Sequence, residues 1–525
     1  MEEKNEQEQK KTAAAIYERL KTDRENFLDR ARDCSKYTIP TLIPPSGHSS
    51  GTKYYTPYQG IGARGVNNLA SKLLLALLPP NSPFFRLQID DFTLEQLTKQ
   101  EGMRAEVEEG LNKIERSVQS EIEAGAVRVS GFEAMKHLLI GGNALLYLPD
   151  SGGMRVFPLE KYVVSRDAMG NVLEIVVKET MAKEALPRDV QGMLSDHQSD
   201  ATGVKNVDLY THVKLEDSKW VVYQEIKGMI IPGSEGSYPK EKSPWIPVRF
   251  TKVDGENYGR SYVEEYLGDL KSLEGLSQAI VEGSAAAAKV LFLVNPNGTT
   301  SQQTLAESDN GAIVEGNEQD VSVLQLQKYN DFRVALETIN TINDRLAFAF
   351  LLNSAVQRNG ERVTAEEIRY MANELEAALG GIYSILSQEM QLPMVNRIMF
   401  AMERKKKLPV LPKGTVKPVI VTGIEALGRG NDMNKLQMFF EGSALIAQLP
   451  PEINKGDALK RFGTSLGIDM KGLVKSQEEL DAEMQQAQMM AMMQQGMTPA
   501  INQAGQMMKQ GMVNQAQAEQ GAAGG

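Results

Sequence analysis

The stretch Ser261-Tyr262-Val263-Glu264-Glu265-Tyr266-Leu267-Gly268-Asp269-Leu270-Lys271-Ser272-Leu273-Glu274-Gly275-Leu276 opens the part of the chain whose order of elements decides the fold. Ser261 followed three residues later by Glu264 is a capping box, in which the serine oxygen takes an N–H that the helix cannot satisfy itself. Val263, Leu267, Leu270, Leu273 and Leu276 recur at helical spacing, and the four alanines at 285–288 allow close contact with another helix. Downstream, 291–294 reads as a strand closed by Asn295-Pro296-Asn297-Gly298, and 312–314 and 321–326 read as two more around Gly316-Asn317. Residues 332–352 return to helix. A polar stretch, 353–363, then leads to a second capping box, Thr364 with Glu367, whose helix carries Ile368, Ala372, Leu375, Leu379, Ile382 and Leu386. Pro393 is expected to kink or break that helix, and Arg404-Lys405-Lys406-Lys407 places cations at its C-terminal end.

Upstream, 12–39 is expected to be helical, with Ile16, Leu20, Phe27, Ala31 and Cys34 on one stripe and Pro40, Pro44 and Pro45 ending it. A polar loop precedes a short helix over 66–78, a strand over 84–89 and a long helix whose stripe is Val107, Leu111, Ile114, Val118 and Ile122. Between 144 and 250 the period falls to two. The runs 145–148, 172–178, 207–215 and 220–226 read as strands, with Met169-Gly170-Asn171 and Glu216-Asp217-Ser218-Lys219 at hairpin turns. Hairpins rather than βαβ units make this an α+β fold and argue against a doubly wound nucleotide-binding sheet. After the basic run a strand is expected at 419–422 and shorter helices over 431–483. The tail 484–525, with nine Met and eleven Gln, is of low complexity.

The chain has 525 residues, beyond the ~250–300 at which single cores stop growing, so several packed units are expected. Against 57 Lys+Arg stand 68 Asp+Glu, a formal charge of −11, which argues against a protein that clings to nucleic acid over its whole surface. Local basic patches remain compatible with it. Cys34 is the only cysteine, so neither an intrachain disulfide nor a thiolate zinc cluster can form. The four histidines show no His-x-x-x-His spacing, and no metal or cofactor is expected. Apolar runs such as 73–78 are far short of the ~20 residues of a membrane span, and the chain reads as soluble, unexported and without a membrane partner.

Two short motifs suggest catalysis and fail on context. Gly60-Ile61-Gly62-Ala63-Arg64-Gly65 matches the dinucleotide fingerprint, but the apolar strand that should precede it is replaced by Lys53-Tyr54-Tyr55-Thr56-Pro57-Tyr58-Gln59; a loop leading into a helix is the expectation. Gly463-Thr464-Ser465-Leu466-Gly467 matches the nucleophile elbow, yet no histidine follows His212, so a hydrolase triad in that order cannot be built, and a helix end capped by Gly463 is expected. There is no phosphate loop of the Gly-x-x-x-x-Gly-Lys-Ser/Thr type. Paired acids such as Asp90-Asp91 read as solvated faces and Arg404 to Lys407 as a helix cap. An enzyme is the weaker reading.

The order of elements resembles the portal, or head-to-tail connector, protein of autographivirus-type short-tailed bacteriophages. The resemblance is carried by Gly62-Ala63-Arg64-Gly65-Val66-Asn67-Asn68-Leu69-Ala70-Ser71-Lys72-Leu73, by Tyr258-Gly259-Arg260 running into the capped stretch above, and by Leu352-Asn353-Ser354-Ala355-Val356-Gln357-Arg358 with Arg362-Val363-Thr364-Ala365-Glu366-Glu367-Ile368-Arg369-Tyr370. It spans about 12–480. It implies a ring of twelve subunits at one capsid vertex, with wing, helical stem, small β-rich clip and helical crown around a channel for double-stranded DNA. By position the wing would be 1–258, with the long kinked helix 365–407 and the return strand 408–430. The stem would be 259–290 and 329–352, the clip 291–328, the channel loop 353–364 and the crown 431–483, followed by the tail 484–525.

The resemblance further implies a virion protein assembled in the host cytoplasm. Its partners would be the terminase large subunit, the tail adaptor, scaffolding and major capsid proteins and internal core proteins. In the clip, Glu307, Asp309, Glu315, Glu318 and Asp320 face the single base Lys328, so a basic docking partner is expected. In the channel stretch, Arg358 and Arg362 with Gln357 and Asn359, together with Lys328, are the expected DNA contacts. An elongated helical scaffold or adaptor of the virion, and a nucleotide-binding enzyme using the glycine motif, are the rival readings.

Overall fold

The computed structural model describes residues 12–49, 51–80, 84–89, 103–195, 206–287, 291–324, 329–352, 379, 381–409, 416–420, 428–447, 450 and 455–465. The chain divides into two compact units between Leu427 and Gly428. The first begins with α1 (Ala13–Lys36), α2 (Ile61–Leu77), β1 (Phe85–Ile89), α3 (Met103–Ala124) and α4 (Val127–Gly141). Strands β2 (Asn143–Tyr147), β3 (Arg155–Phe157), β4 (Tyr162–Arg166) and β5 (Val172–Ala182) precede a short α5 (Arg188–Ser195). Then come β6 (Asn206–Glu216), β7 (Lys219–Ile226), β8 (Met229–Ile230), β9 (Gly236–Pro239) and β10 (Trp245–Arg249). The remainder is α6 (Tyr262–Glu265), α7 (Leu267–Ala287), β11 (Leu291–Val294), α8 (Gln302–Glu307), β12 (Val321–Leu324), α9 (Tyr329–Ala349), α10 (Ile382–Leu386), α11 (Leu392–Arg404) and β13 (Val416–Ile420).

Among the described residues every strand pairing is antiparallel, in keeping with the expected hairpins. Strands β4-β5-β6-β7 form one sheet, extended by β8 and β9 on β7, and β10-β2-β3 form a second. The β6–β7 turn places Asp217 and Ser218 at φ 43° and 68°, the paired positive angles of a type I′ hairpin. In the second sheet Trp245 lies opposite Tyr147, and the rings stack with centroids 4.1 Å apart.

Helix α4 runs through the core with Val127, Ala134, Met135, Leu138, Leu139 and Ile140 buried. Its buried residues cover nearly the whole circumference, so it lacks the amphipathic period by which helices are recognised. Helix α1 lies on the larger sheet with only Ala31 and Cys34 of the expected stripe fully buried. Ala13, Tyr17, Arg24, Leu28, Ala31, Cys34 and Ser35 are buried, whereas Ile16, Leu20 and Phe27 are partly exposed. The reason is Arg24, which points inward and donates to the carbonyls of Glu160 (2.7 Å) and Tyr162 (3.2 Å) and to Tyr17 Oη (2.9 Å). At the helix start the buried Glu225 carboxylate accepts Ala13 N–H at 2.7 Å, a favourable place for an anion.

Several boundaries differ from expectation. Helix α2 starts at Ile61 rather than 66, so the glycine motif is its first turns and not a loop. A Cβ on Gly65 would stand 2.5 Å from the Phe350 ring, and one on Gly62 would overlap the Tyr37 carbonyl; the glycines serve close helix packing. Strand β13 (416–420) starts three residues before the expected 419, pairing with β1 and setting Pro418 opposite Leu87, while 421 and 422 lie outside the described residues. Residues 312–314 are not a strand; the segment contains α8 instead, capped by Ser301, whose Oγ accepts Thr304 N–H at 3.4 Å. Pro393 does not break its helix: a π turn, Ser387–Gln391, lies between α10 and α11 and places Pro393 in the first turn of α11, where a missing N–H costs least. That π turn is tied to β10 by Glu389, which takes Arg249 Nη2 at 2.5 Å and Arg249 N–H at 3.1 Å.

The second unit pairs α12 (Gly428–Ala447) with α13 (Lys455–Ser465), the rings of Phe439 and Phe462 stacking at 6.2 Å. Gly463 lies inside α13 rather than at its cap, and Ser465 Oγ donates to the Phe462 carbonyl at 2.7 Å. An elbow serine would instead stand on a strand-to-helix turn.

Candidate docking surface and the end of the long helix pair

The capped stretch quoted first behaves as its residues direct. Ser261 Oγ accepts Glu264 N–H at 3.0 Å, and after a break at Tyr266 the helix continues as α7. The Glu264 side chain does not complete the box; it pairs with Arg30 of α1. Helices α7 and α9 are antiparallel: Arg345 Nη2 meets Asp269 Oδ1 at 2.7 Å, and towards the other end Gly283 admits the Phe332 ring.

Burial changes along this pair. Leu270, Leu273 and Glu274 are buried on α7, and Ile342, Leu346, Ala347 and Ala349 on α9, all at the end nearest the core. Among the residues whose side chains are described, none over 275–286 or 332–341 is buried. Val281, Val334, Leu336 and, nearer the core, Phe348 are exposed apolar side chains, Phe348 at 78%. Apolar faces of this kind on a long helix pair are suited to a protein partner.

Strands β11 and β12, at the far end of the pair, form a two-stranded ribbon with Val294 opposite Val321. The predicted docking acids divide into two kinds. Glu307, Asp309, Glu315 and Glu318 are exposed. Asp320 instead folds onto its own loop, accepting Thr299 N–H (2.8 Å), Thr300 N–H (3.2 Å) and Thr300 Oγ1 (3.2 Å). Partial desolvation pushes the Asp320 carboxyl up, but the donors of Thr299 and Thr300 outweigh it and hold the group below the usual carboxylate range. Lys328 lies outside the described residues.

The other end of α9 delivers the chain to 353. Three successive carbonyls there are met by side chains from α2 and α6: Tyr262 Oη donates to Ala349 (2.8 Å), Asn68 Nδ2 to Phe350 and Leu351 (3.0 Å each), and Lys72 Nζ to Leu351 (2.9 Å). The first two segments that carry the family resemblance therefore meet at the start of the third. Gln357, Arg358, Asn359 and Arg362, and the second capping box, lie outside the described residues. Sequence reasoning missed Asn68 and Lys72 as functional candidates, although a lysine directly before the apolar run 73–78 is itself a signal.

The basic run at the end of α11 is partly paired, several of its cations sharing two acids. Arg404 Nη1 reaches Asp150 at 2.9 Å, Lys407 Nζ reaches Glu121 at 2.6 Å, and the buried Arg397 holds Asp150 at 2.7 Å. Among the described residues no cluster of His, Cys, Asp and Glu could hold a metal ion, and no helix is long and apolar enough to cross a membrane.

The chain belongs to the family of bacteriophage head to tail connecting proteins, whose pattern matches residues 10–474. It is 46% identical to the portal protein of Escherichia phage T7 over 493 residues, 92% of each chain. It is 46% identical to that of Enterobacteria phage T3 over 482 residues, 90% of each, and 30% identical to that of Enterobacteria phage SP6 over 502 residues, 93% of this chain and 95% of that one. Among solved structures, a chain from the neck of a native gene transfer agent particle aligns with a TM-score of 0.33 and 11% identity, covering 78% of this chain and 90% of that chain. The family is the one that the sequence resembles.

Proposed function

We propose that this chain is the subunit of a phage portal, a ring at one capsid vertex that passes double-stranded DNA into the head and out again. The observation that carries the reading is the antiparallel pair α7 and α9, joined through the β11–β12 ribbon and the acidic segment between its strands, with no buried residue among the described side chains of its outer half, in a chain of the head-to-tail connecting family. Helices that are exposed in one copy and carry exposed apolar side chains such as Val281, Val334 and Leu336 suit a heterologous contact repeated around a ring. Twelve copies are the expected stoichiometry. Assembly is non-covalent, because the single Cys34 is buried and burial pushes its thiol up to about 12.

In this reading α7 and α9 are the stem, β11 to β12 the clip, the sheets with α1 to α4 and the kinked helix the wing, and the second unit the crown. The clip receives the terminase large subunit during filling and the tail adaptor afterwards, through Glu307, Asp309, Glu315 and Glu318; Asp320 shapes the loop that presents them. The capsid, scaffolding and internal core proteins meet other faces. Arg358, with Arg362, Gln357 and Asn359, touches passing DNA, while the net charge of −11 on each copy keeps a sliding polyanion from being held. The role is structural and needs no cofactor or catalytic residue.

Rings carrying Glu315→Lys and Glu318→Lys should form normally yet capture terminase and adaptor weakly. Unchanged capture of both would remove the clip acids from the docking surface. Arg358→Ala should leave assembly intact and lower DNA packaging or retention, and particles that fill and hold genomes at wild-type levels would exclude that contact.

A further inference from the structure

The two sides of the helix pair α7 and α9 carry side chains of opposite kind. On α9 the stripe Phe332, Ala335, Ile339, Ile342 and Leu346 is the enclosed side, and Phe332 meets Gly283 of α7. Val334, Glu337, Thr341, Asp344 and Phe348 lie roughly 160° round the helix from that stripe. All five are exposed. Neither Glu337 nor Asp344 forms an ion pair with a described residue. The cations of α9 are Arg333, at the outer tip of this face, and Arg345, which Asp269 answers at 2.7 Å.

On α7 the side that meets α9 is marked by Asp269 and Gly283, and Glu274 lies roughly 160° round from it. There the buried Glu274 carboxylate fastens a loop, accepting Tyr55 Oη (2.5 Å), Tyr58 N–H (2.9 Å) and Gln59 N–H (3.2 Å). The loop presents Tyr54, Tyr55 and Tyr58, 37%, 38% and 46% exposed, beside an exposed Lys53. Lys36 Nζ, at the end of α1, stands 5.0 Å from the centroid of Tyr55 and 5.3 Å from that of Tyr37. Ring faces attract a cation without neutralising it. Lys271 is answered by Asp33 at 3.0 Å, whereas Lys36 and Lys53 have no carboxylate partner among the described residues. Exposed aromatic side chains fixed in place are the composition of a protein interface.

The acidic face and the tyrosine–lysine face look away from each other and cannot meet within one copy, which is the arrangement a head-to-tail contact requires. We propose that α9 of each copy docks its outward face on the tyrosine–lysine face of the next copy, Glu337 and Asp344 answering Lys36 and Lys53 there and the exposed apolar side chains of α9 packing on the tyrosine rings. The proposal rests on the portal reading and names within it the two surfaces by which neighbours join. The levels agree. Asp269 pairs with Arg345 and Gly283 with Phe332, so Glu274 stands level with Asn340 and Thr341. Rotation about an axis along the pair keeps that level, and the loop held by Glu274 arrives between Glu337 and Asp344. Copies that each carry −11 repel one another at long range, so a local patch of opposite sign also sets which faces meet.

The test uses the full-length chain with Glu337→Lys and Asp344→Lys together, with Lys36→Glu and Lys53→Glu together, and with all four changes. Sedimentation reads the concentration at which half the chain is in rings. Each reversed pair should raise that concentration about tenfold, and the fourfold variant should recover most of the loss. All four side chains are exposed, so the circular dichroism of the variants should match wild type. Hydroxyl-radical footprinting of the wild-type chain needs no variant: Tyr54, Tyr58 and Phe348 should be labelled in the free subunit and protected in the ring. Equal labelling in both, reversals without effect, or a fourfold variant no better than the separate pairs would overturn the contact while the portal reading stands. A wild-type chain that forms no ring would overturn both.

Discussion

Two glycines, Gly65 in the core and Gly283 on the outer half of α7, face the same chemistry with opposite consequences. Each admits a phenylalanine ring from α9 or the residue directly after it: a Cβ at 65 would lie 2.5 Å from Phe350, and one at 283 would lie 2.8 Å from Phe332. Phe350 is fully buried, ringed by Tyr262 and Tyr266, and has nowhere to move. Phe332 is partly exposed and can turn towards solvent. At its inner end the helix pair is locked into a core close to crystal density, and at its outer end it keeps open faces. The inner end sets geometry within one subunit. The outer end is finished by other molecules.

The largest effect should come from the most enclosed charge. Replacing Glu389 by Gln leaves Arg249, whose side chain is 2% exposed, without its counter-ion and unties the π turn from β10; unfolding in urea should show a loss of ~3 kcal/mol. If instead stability is unchanged, the core is less tightly determined than its packing indicates. Next, Gly65→Ala should cost ~1–3 kcal/mol through overpacking, whereas Gly283→Ala should be neutral or slightly stabilising, since alanine favours helix by ~1 kcal/mol over glycine. Equal losses at both sites, read from melting temperatures, would erase the contrast.

A pH effect should also come from the core. Burial, and secondarily Lys136, pushes the His137 imidazole down to about 4 from its ordinary 6.5. The neutral ring favours the folded state fully above pH 6.5, and the gain is lost as pH falls from there through 4. At pH 5 the loss relative to pH 7 should be ~1–2 kcal/mol, and His137→Leu should flatten that slope in urea titrations at the two pH values. The smallest effect on stability belongs to the segment between β11 and β12: Glu318→Lys should change it by less than ~0.5 kcal/mol, so any lost capture of a partner would be an interface effect.

Much of the fold was legible because local rules and tertiary packing agreed. The Ser261 cap, the Asp217-Ser218 hairpin and the stripe Ile114, Val118 and Ile122 all appear where spacing places them. The failures share a cause. Helix α4 has no polar face from which a period could be read, and α1 turns on an inward arginine that periodicity assigns to solvent. The glycines of α2 look like a loop until Phe350 and Tyr37 are seen against them. Residues 312–314 carry β-branched character with no strand to pair with, and Pro393 is absorbed by a π turn that hydropathy does not encode. The docking acids were readable as a cluster, but Asp320 could be separated from the others only by its bonds to Thr299 and Thr300. Lys72 matches no motif, and its one signal in the sequence is its place directly before the apolar run 73–78.

The most direct test of the account is an electron micrograph of the purified full-length chain at micromolar concentration. The account predicts closed rings with a central channel and a mass of about a dozen subunits, formed without reducing-agent sensitivity. A population of monomers or dimers under the same conditions would contradict it.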